Sequence, residues 1–472
     1  MKFIPCGILM MLALLADIAD GQNRRDLDRI AESQRGASPL VYTTKGNWIR
    51  AAIPGNFQDD NETAVRGGLP RFWSKVNAQA NVTVAFIGGS ITQADHSYRM
   101  QVSKYLERNS GGARFRWINA GISGTGTDLG ACRIQEQVLN FNPDLISIEF
   151  AVNGAYPDGM EGMIRQIRNQ TPECDICLLY TLYNGQTSIY QRREIPENIK
   201  ALERLAEHYG LPSIHLGMEA AYLEKEGRLI WKGDDEYVPG KILFSKDGIH
   251  PTEKGGALYA GAIVRGLAKI RQYAAPDPQS PGEPEALFSA DWENAGMYDP
   301  WQIAHFDASW HRIDCSQNES LQKFAAWFGQ VVTADRNGAS FRFRFTGDMF
   351  GLFDVGGPEM GQLEIEVDGH PVRLKAVSIR GFRYYEANES EGEYTLNRFN
   401  RYCNNRYRGQ HDIVKLQPGV HDVTIRISDR KADKRAILGT ENCGNISQNP
   451  AKYDQSVIYL GRLLLRGTPI TE

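Results

Sequence analysis

The sequence has almost no excess of charge of either sign. Its 53 basic and 57 acidic residues leave a formal net charge of -4 over 472 residues. So small a charge produces no field that would collect a polyanion, so nucleic acids and anionic lipid surfaces are poor candidate partners. The content of 42% hydrophobic and 23% charged residues is typical of folded protein and argues against a largely disordered chain. The length is sufficient for two or three domains.

The chain also lacks a long hydrophobic run. Its N-terminal apolar stretch, Ile8 to Leu15, is too short to span a bilayer. Lys2 precedes this stretch and Ala19-Asp20-Gly21 follows it, which is the pattern of a secretory signal peptide cleaved near Gly21. Cys6 lies before the stretch, which argues against a lipid-modified cysteine. We therefore expect residues 1–21 to be a signal peptide and the protein to be secreted or periplasmic, with no membrane span.

Motifs for metal chemistry are missing as well. Cys174 and Cys177 have the spacing of half a zinc site, but no second close pair accompanies them, so a local disulfide or two free thiols is the better interpretation. Six cysteines remain after Cys6, an even set that permits disulfides in an oxidising compartment. No H-E-x-x-H motif occurs, and the G-x-S-x-G elbow of α/β-hydrolases is absent. We expect neither a metal nor another cofactor.

The most informative stretch present is Val82 to Gln93, in which an apolar, β-branched run ends in Gly88-Gly89-Ser90. Such a run predicts a buried strand of a parallel sheet that delivers Ser90 to the edge of the sheet. The two glycines permit a tight turn and close approach to a ligand, which suits a nucleophile. The alternative is an ordinary turn in which Ser90 caps a helix.

Three more loops carry groups that could act together with Ser90. A glycine-rich loop from Asn119 to Asp128 contains Gly124, and the predicted buried strand that begins at Asp144 ends at Asn153. Farther along, Asp247 and His250 flank a glycine turn before a helix, so that the carboxylate can reach one imidazole nitrogen while the other faces outward. We predict that these loops and that of Ser90 lie together at one rim of one sheet, where the strands end. There they supply a nucleophile, a base, a group that orients the base and oxyanion donors.

Strand and helix patterns alternate along this part of the chain, which favours an α/β sandwich around a parallel sheet. The predicted elements are a helix containing Leu69, Phe72, Trp73 and Val76, then helices over 98–108, 129–140, 160–169, 197–209 and 253–273, with strands over 115–119, 144–153, 176–183 and 213–216.

The composition changes at residues 274–284, which contain four prolines and predict a stiff linker. Beyond it the pattern has period two, as in Phe341, Phe343 and Phe345, which predicts a C-terminal all-β sandwich of jelly-roll type. Asp368-Gly369 and Pro418-Gly419 predict hairpin turns. The predicted organisation is a signal peptide (1–21), an N-terminal extension packed on the catalytic domain (22–80), that domain (81–275), a linker (276–286) and the β-domain (287–472).

The order of the four motifs resembles that of the SGNH/GDSL hydrolase superfamily, and the appended β-domain resembles bacterial carbohydrate esterases. The matching blocks are Gly88-Gly89-Ser90, Ile122-Ser123-Gly124, Val152-Asn153 and Asp247-Gly-Ile-His250-Pro251. The resemblance implies an SGNH-type three-layer α/β/α fold. It also implies that Ser90 is the nucleophile, His250 the general base and Asp247 its orienting group, and that Ser90, Gly124 and Asn153 form the oxyanion hole. Gly89 and Gly154 replace aspartates that many members carry.

The expected function is removal of small acyl groups, above all acetyl, from a polysaccharide or oligosaccharide through an acyl-enzyme. A lipase or thioesterase for longer acyl chains and a non-catalytic glycan-binding protein are the alternatives. The alternative to a catalytic role for Asp247 and His250 is that they only cap the helix that follows. His96, Arg383, Tyr384 and Arg406 are candidate substrate-binding residues, although a packed core and solvated strand is the favoured explanation of the arginine- and tyrosine-rich segments. His96 is also a weaker candidate for the base.

Overall fold

The computed structural model describes residues 40–234, 238–273, 284–379, 382–404 and 409–471. The predicted signal peptide, much of the predicted linker and Arg406 lie outside these ranges. Among the described residues, no helix combines the length and the apolar character needed to cross a bilayer.

A seven-stranded sheet forms the centre of the first unit, in the order β1-β4-β3-β5-β6-β7-β2. Its strands are β1 (Val41–Tyr42), β2 (Thr63–Ala64), β3 (Asn81–Gly88), β4 (Arg114–Gly121), β5 (Leu145–Glu149), β6 (Asp175–Tyr180) and β7 (Ser213–His215). The five inner strands are parallel. Their apolar side chains are buried because helices cover both faces.

The helices of this unit fall into two layers. They are α1 (Pro70–Asn77), α2 (Ser90–Gln93), α3 (Tyr98–Asn109), α4 (Thr127–Gln137), α5 (Pro157–Gln170), α6 (Thr187–Gln191), α7 (Glu197–His208), α8 (Met218–Lys225) and α9 (Glu253–Gln272). Helix α5 contacts α4 and α7, whereas α9 contacts α3 and α8. The predicted three-layer α/β/α sandwich is confirmed, and the predicted helices and strands are present with shifted ends.

The N-terminal extension also adds strands to the sheet, which the sequence did not predict. Strand β1 pairs antiparallel with β4 at one edge, and β2 pairs antiparallel with β7 at the other. The extension therefore covers both edges of the parallel sheet. At the residues that are paired, backbone N–H and C=O groups that could promote strand addition by another chain are bonded within this chain.

The C-terminal unit is built of twelve strands that are joined by hydrogen bonds. They are β10 (Ala295–Tyr298), β11 (Ala304–Phe306), β12 (His311–Asp314), β13 (Gln330–Ala334), β14 (Ser340–Val355), β15 (Gln362–Val367), β16 (His370–Pro371), β17 (Arg373–Ile379), β18 (Phe382–Asn388), β19 (Thr395–Asn397), β20 (Gly409–Ile427) and β21 (Ile458–Pro469). Helices α10 (Pro300–Ile303), α11 (Lys434–Asn442), α12 (Gly444–Gln448) and α13 (Pro450–Tyr453) lie between strands. This β-rich unit confirms the predicted β-domain.

One of the two predicted hairpins is present and the other is not. Asp368 and Gly369 both have positive φ and connect β15 to β16, as a type I′ turn requires. Pro418 and Gly419 instead lie within β20, which continues along β14 past a register shift between Gly347 and Met349. Proline cannot donate to the strand ladder, and a bulge is the position where a strand tolerates that loss.

The two units share a hydrophobic core. In β14, Phe350 and Leu352 face the interior of the sandwich, while Met349 and Phe353 belong to the core of the first unit. The alternation of a strand thus buries both of its faces. All six described cysteines are free thiols, which includes Cys174 and Cys177.

Candidate active site

Ser90 lies where β3 turns into α2. Gly89 is the N-cap of that helix, and Ser90 is its first residue, 3% exposed. A Cβ on Gly88 would lie 2.2 Å from Oγ1 of Thr92 and 2.5 Å from the carbonyl oxygen of Glu149. The backbone is therefore packed so closely at position 88 that only glycine fits there.

Asp247 and His250 lie on a loop that does not belong to the main sheet, contrary to prediction. The loop follows β9 (Ile242–Ser245), which pairs with β8 (Leu229–Lys232) in a separate two-stranded sheet. The other three loops do follow strands β3, β4 and β5 of the main sheet. The N-cap of α9 is Thr252, whose hydroxyl accepts the N–H of Gly255. The capping interpretation of Asp247 and His250 is therefore wrong.

The Asp247 carboxylate organises its own loop. Its Oδ1 accepts the N–H groups of Ile249 at 2.9 Å and His250 at 2.8 Å, as well as the Ser245 hydroxyl at 3.0 Å. Gly248 has φ +91°, a conformation that suits glycine. Its carbonyl accepts the indole N–H of Trp231 at 3.0 Å, which holds the turn against β8.

The three side chains form one continuous line of contacts. Nδ1 of His250 lies 2.6 Å from Oδ2 of Asp247, and Nε2 lies 2.6 Å from Oγ of Ser90, 160 residues away in sequence. Burial raises the pKa of Asp247, but the hydrogen bond and charge of His250 and the loop N–H groups lower it to about 2. An ionised carboxylate can only accept, so Nδ1 donates to Asp247 and Nε2 is left to accept from Ser90.

Gly124 and Asn153 follow the two strands that flank β3. Gly124 is exposed and has φ +72°, while Asn153 is half-buried. A Cβ on Gly89 would lie 2.1 Å from Nδ2 of Asn153, so the amide of Asn153 packs against the turn that carries Ser90. Asn153 occupies the space that a side chain at position 89 would need. Gly154 has φ +52°, a left-handed conformation that glycine adopts without strain.

Several residues that support this arrangement were not predicted. Oε1 of Gln93 accepts the N–H of Ser123 at 2.7 Å and so joins α2 to the loop of Gly124. Oγ1 of Thr127 donates to the carbonyl of Tyr156 at 2.6 Å, which joins that loop to the segment after Asn153. Buried Arg133 donates to the carbonyls of Gly88 at 3.0 Å and Ala120 at 2.5 Å. The sequence carries no local signal for these long-range contacts.

The other histidine near the site is His96. It neighbours His250. Burial, and then the charge that His250 can acquire, lower the pKa of His96. The imidazole in contact with Ser90 is that of His250, so the geometry does not favour His96 as the base. No group of three His, Cys, Asp or Glu side chains is arranged to hold a metal ion in the described part of the chain.

Arg383 and Tyr384 lie on the hairpin of β17 and β18, which touches the first unit. Arg383 is exposed, but Tyr384 is only 6% exposed and stacks on Phe382 with ring centroids 5.0 Å apart. Phe382 in turn stacks on Tyr156, three residues after Asn153, at 4.8 Å. Tyr384 is therefore packed in the core between the units rather than presented on an open surface.

Comparison with known proteins identifies the first unit. Residues 86–258 match the GDSL-like Lipase/Acylhydrolase family. We name this stretch the acylhydrolase domain, after the family that it matches. It contains Ser90, Gly124, Asn153, Asp247 and His250, so the resemblance drawn from the four motifs is confirmed.

The acylhydrolase domain and the β-domain together resemble solved two-domain structures. A two-domain esterase (CEX) active on acetylated mannans, co-crystallized with mannopentaose, has a TM-score of 0.61 at 21% identity, covering 88% of this chain and 100% of that chain. A second crystal structure of a two-domain esterase (CEX) active on acetylated mannans also has a TM-score of 0.61 at 21% identity. This match covers 87% of this chain and 98% of that chain. These likenesses show a shared two-domain fold. No curated protein matches the chain.

Proposed function

We propose that the protein is an exported serine esterase that removes acetyl groups from a polysaccharide or oligosaccharide through an acyl-enzyme. The observation that carries the proposal is the contact of Asp247, His250 and Ser90 at hydrogen-bond distance. A serine hydroxyl is a poor nucleophile until a base removes its proton. In the proposed reaction His250 is that base and Asp247 fixes its tautomer.

In the first half of the reaction, Oγ of Ser90 attacks the ester carbonyl as Nε2 of His250 takes its proton. The negative charge that develops on the carbonyl oxygen is stabilised by the N–H groups of Ser90 and Gly124 and by the amide of Asn153. His250 then gives the proton to the sugar hydroxyl that leaves, so Ser90 carries the acetyl group. Asp247 stabilises the imidazolium that forms in between.

In the second half, water attacks the acetylated Ser90. His250 takes a proton from the water and returns it to Oγ of Ser90, which releases acetate and restores the starting state. Each proton taken up in one half of the cycle is released within that half. The cycle therefore consumes one water and needs no other reactant.

A glycan substrate is supported by the two-domain likeness and by the position of the β-domain. The hairpin of β17 and β18 meets the acylhydrolase domain at Tyr156, next to the loop of Asn153. We propose residues 81–275 as the catalytic domain and 287–472 as the unit that borders the substrate approach. His96 near His250 and exposed Arg383 on the hairpin remain candidate glycan-binding residues.

The test of the proposal is hydrolysis of an aryl acetate by Ser90→Ala, with Ser188→Ala, an exposed residue of α6, as the matched control. We expect Ser90→Ala to keep its fold and lose turnover, by a factor of about 10⁶, whereas Ser188→Ala keeps full activity. Retained activity in folded Ser90→Ala protein removes Ser90 from the mechanism.

Two further measurements separate the alternatives. Rates on aryl esters of increasing chain length fall beyond a few carbons for an acetylesterase and rise for a lipase or thioesterase. Acetate release from a panel of acetylated glycans identifies the substrate. Undetectable turnover on every ester, together with micromolar glycan binding, would favour a non-catalytic glycan-binding protein. The N-terminal sequence of exported protein tests cleavage near Gly21.

A further inference from the structure

The N-terminus of α4 lies directly after the loop that carries Gly124. The N–H of Thr127 donates to the carbonyl of Gly154 at 3.2 Å, so the start of the helix is tied to the loop of Asn153. Asp128 follows in the first turn of α4, 7% exposed. A Cβ on Gly126 would lie 2.7 Å from its Oδ1, which shows that the carboxylate folds back over the loop.

The partner of Asp128 comes from the other unit of the chain. Nε2 of His411, on β20 of the β-domain, lies 2.8 Å from Oδ2 of Asp128, 283 residues away in sequence. The two side chains are 15% and 11% exposed. The contact is therefore a shielded one between the domains, made at the loop that carries Gly124.

The charges around His411 leave Asp128 as its ionic partner. Its neighbour Asp412, together with Asp354 on β14, hydrogen-bonds the fully buried guanidinium of Arg398. Burial opposes the charged imidazolium of His411, but the charge and hydrogen bond of Asp128, together with the charge of Asp412, leave its pKa raised, although Arg398 acts against them. When protonated, His411 neutralises Asp128 at a site from which water is largely excluded.

We propose that His411 is a positioning residue of the esterase, through which the β-domain holds Asp128 and the loop of Gly124 in the geometry that stabilises the oxyanion. The inference rests on the proposed function. Oxyanion donors act only when they are held close to their productive geometry, so a loosened loop lowers kcat while ground-state binding of a small ester is little changed.

Helix α4 supplies a matched control at its other end. The guanidinium of Arg462, on β21 of the β-domain, binds both carboxylate oxygens of Glu136 at 3.1 and 2.7 Å. Glu136 lies in the last turn of α4, far along the helix from Gly124. Both ion pairs join the same helix to the same domain, but only that of His411 lies beside the loop.

The experiment compares His411→Ala, His411→Gln and Arg462→Gln in the full chain with an aryl acetate as substrate. We expect His411→Ala to lower kcat about 10- to 100-fold with KM within about twofold. His411→Gln, which keeps a donor to Asp128, should recover much of that loss. Arg462→Gln should keep kcat within about twofold of wild type, even if it lowers the Tm as much as His411→Ala does. Far-UV circular dichroism and Tm confirm that each variant is folded.

The outcomes separate this inference from the proposed function. If Ser90→Ala abolishes hydrolysis but the His411 variants keep wild-type kcat, or lose no more than Arg462→Gln does, His411 is only a docking residue and the inference is overturned. Retained activity in Ser90→Ala would overturn the proposed function itself. Should His411→Ala not fold, His411→Gln and Asp128→Asn decide, because a positioning role requires Asp128→Asn to lower kcat more than Arg462→Gln does.

Discussion

The amide of Asn153 lies against the Cα of Gly89, so closely that a Cβ there would approach Nδ2 of Asn153 to 2.1 Å. The backbone at Gly89 has φ −87°, which any residue can adopt. The need for glycine at this position is therefore steric, and it arises from an asparagine 64 residues farther along the chain. The turn that carries Ser90 therefore also sets the position of Asn153.

Gly89→Ala should displace Asn153 and lower kcat on an aryl acetate about 10²-fold, the typical cost of losing one oxyanion donor. Gly329→Ala is the matched control, because no atom lies within 4 Å of its added Cβ. The double variant Gly89→Ala/Asn153→Ala should be no slower than Asn153→Ala alone, since the amide that the new methyl group displaces is gone. Additive losses would contradict this account.

Asp247→Asn should lower kcat about 10⁴-fold, because an amide does not hold the imidazole in the tautomer that accepts from Ser90. Ser245→Ala removes only one of the hydrogen bonds to Asp247, and we expect a loss below about tenfold. Steady-state kinetics of the two variants measure the contrast. Equal losses would mean that Asp247 acts by holding the loop rather than by orienting His250.

The ion pair of His411 and Asp128 predicts a pH dependence of stability. Although burial opposes its charge, His411 has a raised pKa in the folded protein, so its contribution is complete below its unfolded pKa of about 6.5 and is lost as the pH rises through the folded pKa. Asp128 has a lowered pKa despite burial, so its contribution is lost only as the pH falls below about 4.

The destabilisation caused by His411→Gln should therefore be larger at pH 6 than at pH 9. Chemical denaturation of wild type and variant at both pH values measures it, and Arg462→Gln, which involves no titrating imidazole, should show no such difference. A destabilisation that is independent of pH would contradict an imidazolium paired with Asp128.

Phe382→Ala tests the packing between the domains. Its ring is 3% exposed and contacts Tyr156 at 4.8 Å and Trp292 at 5.4 Å between centroids. We expect a loss of about 3–5 kcal/mol in the free energy of unfolding. Ile379→Ala, on the same hairpin but 48% exposed, should cost less than about 0.5 kcal/mol. Similar losses for both would show that the hairpin does not dock through Phe382.

The motifs at the strand ends were predictable because each has a local physical signature. The apolar run that ends in two glycines predicted where Ser90 lies, and the end of the next buried run predicted Asn153. The turn between Asp247 and His250 predicted their contact. Strands β1 and β2 have two residues each, too few for any periodicity. The contact of His411 with Asp128 spans 283 residues and depends on domain packing, for which sequence patterns carry no signal.

The central claim is that His250 activates Ser90 as a nucleophile. Labelling with an organophosphonate that reacts only with activated serines, followed by peptide mass spectrometry, tests it most directly. We predict a single adduct on Ser90, formed in step with loss of aryl acetate hydrolysis, and strongly slowed labelling in His250→Ala. Full loss of activity with Ser90 unmodified, or equally fast labelling without the imidazole, would contradict the claim.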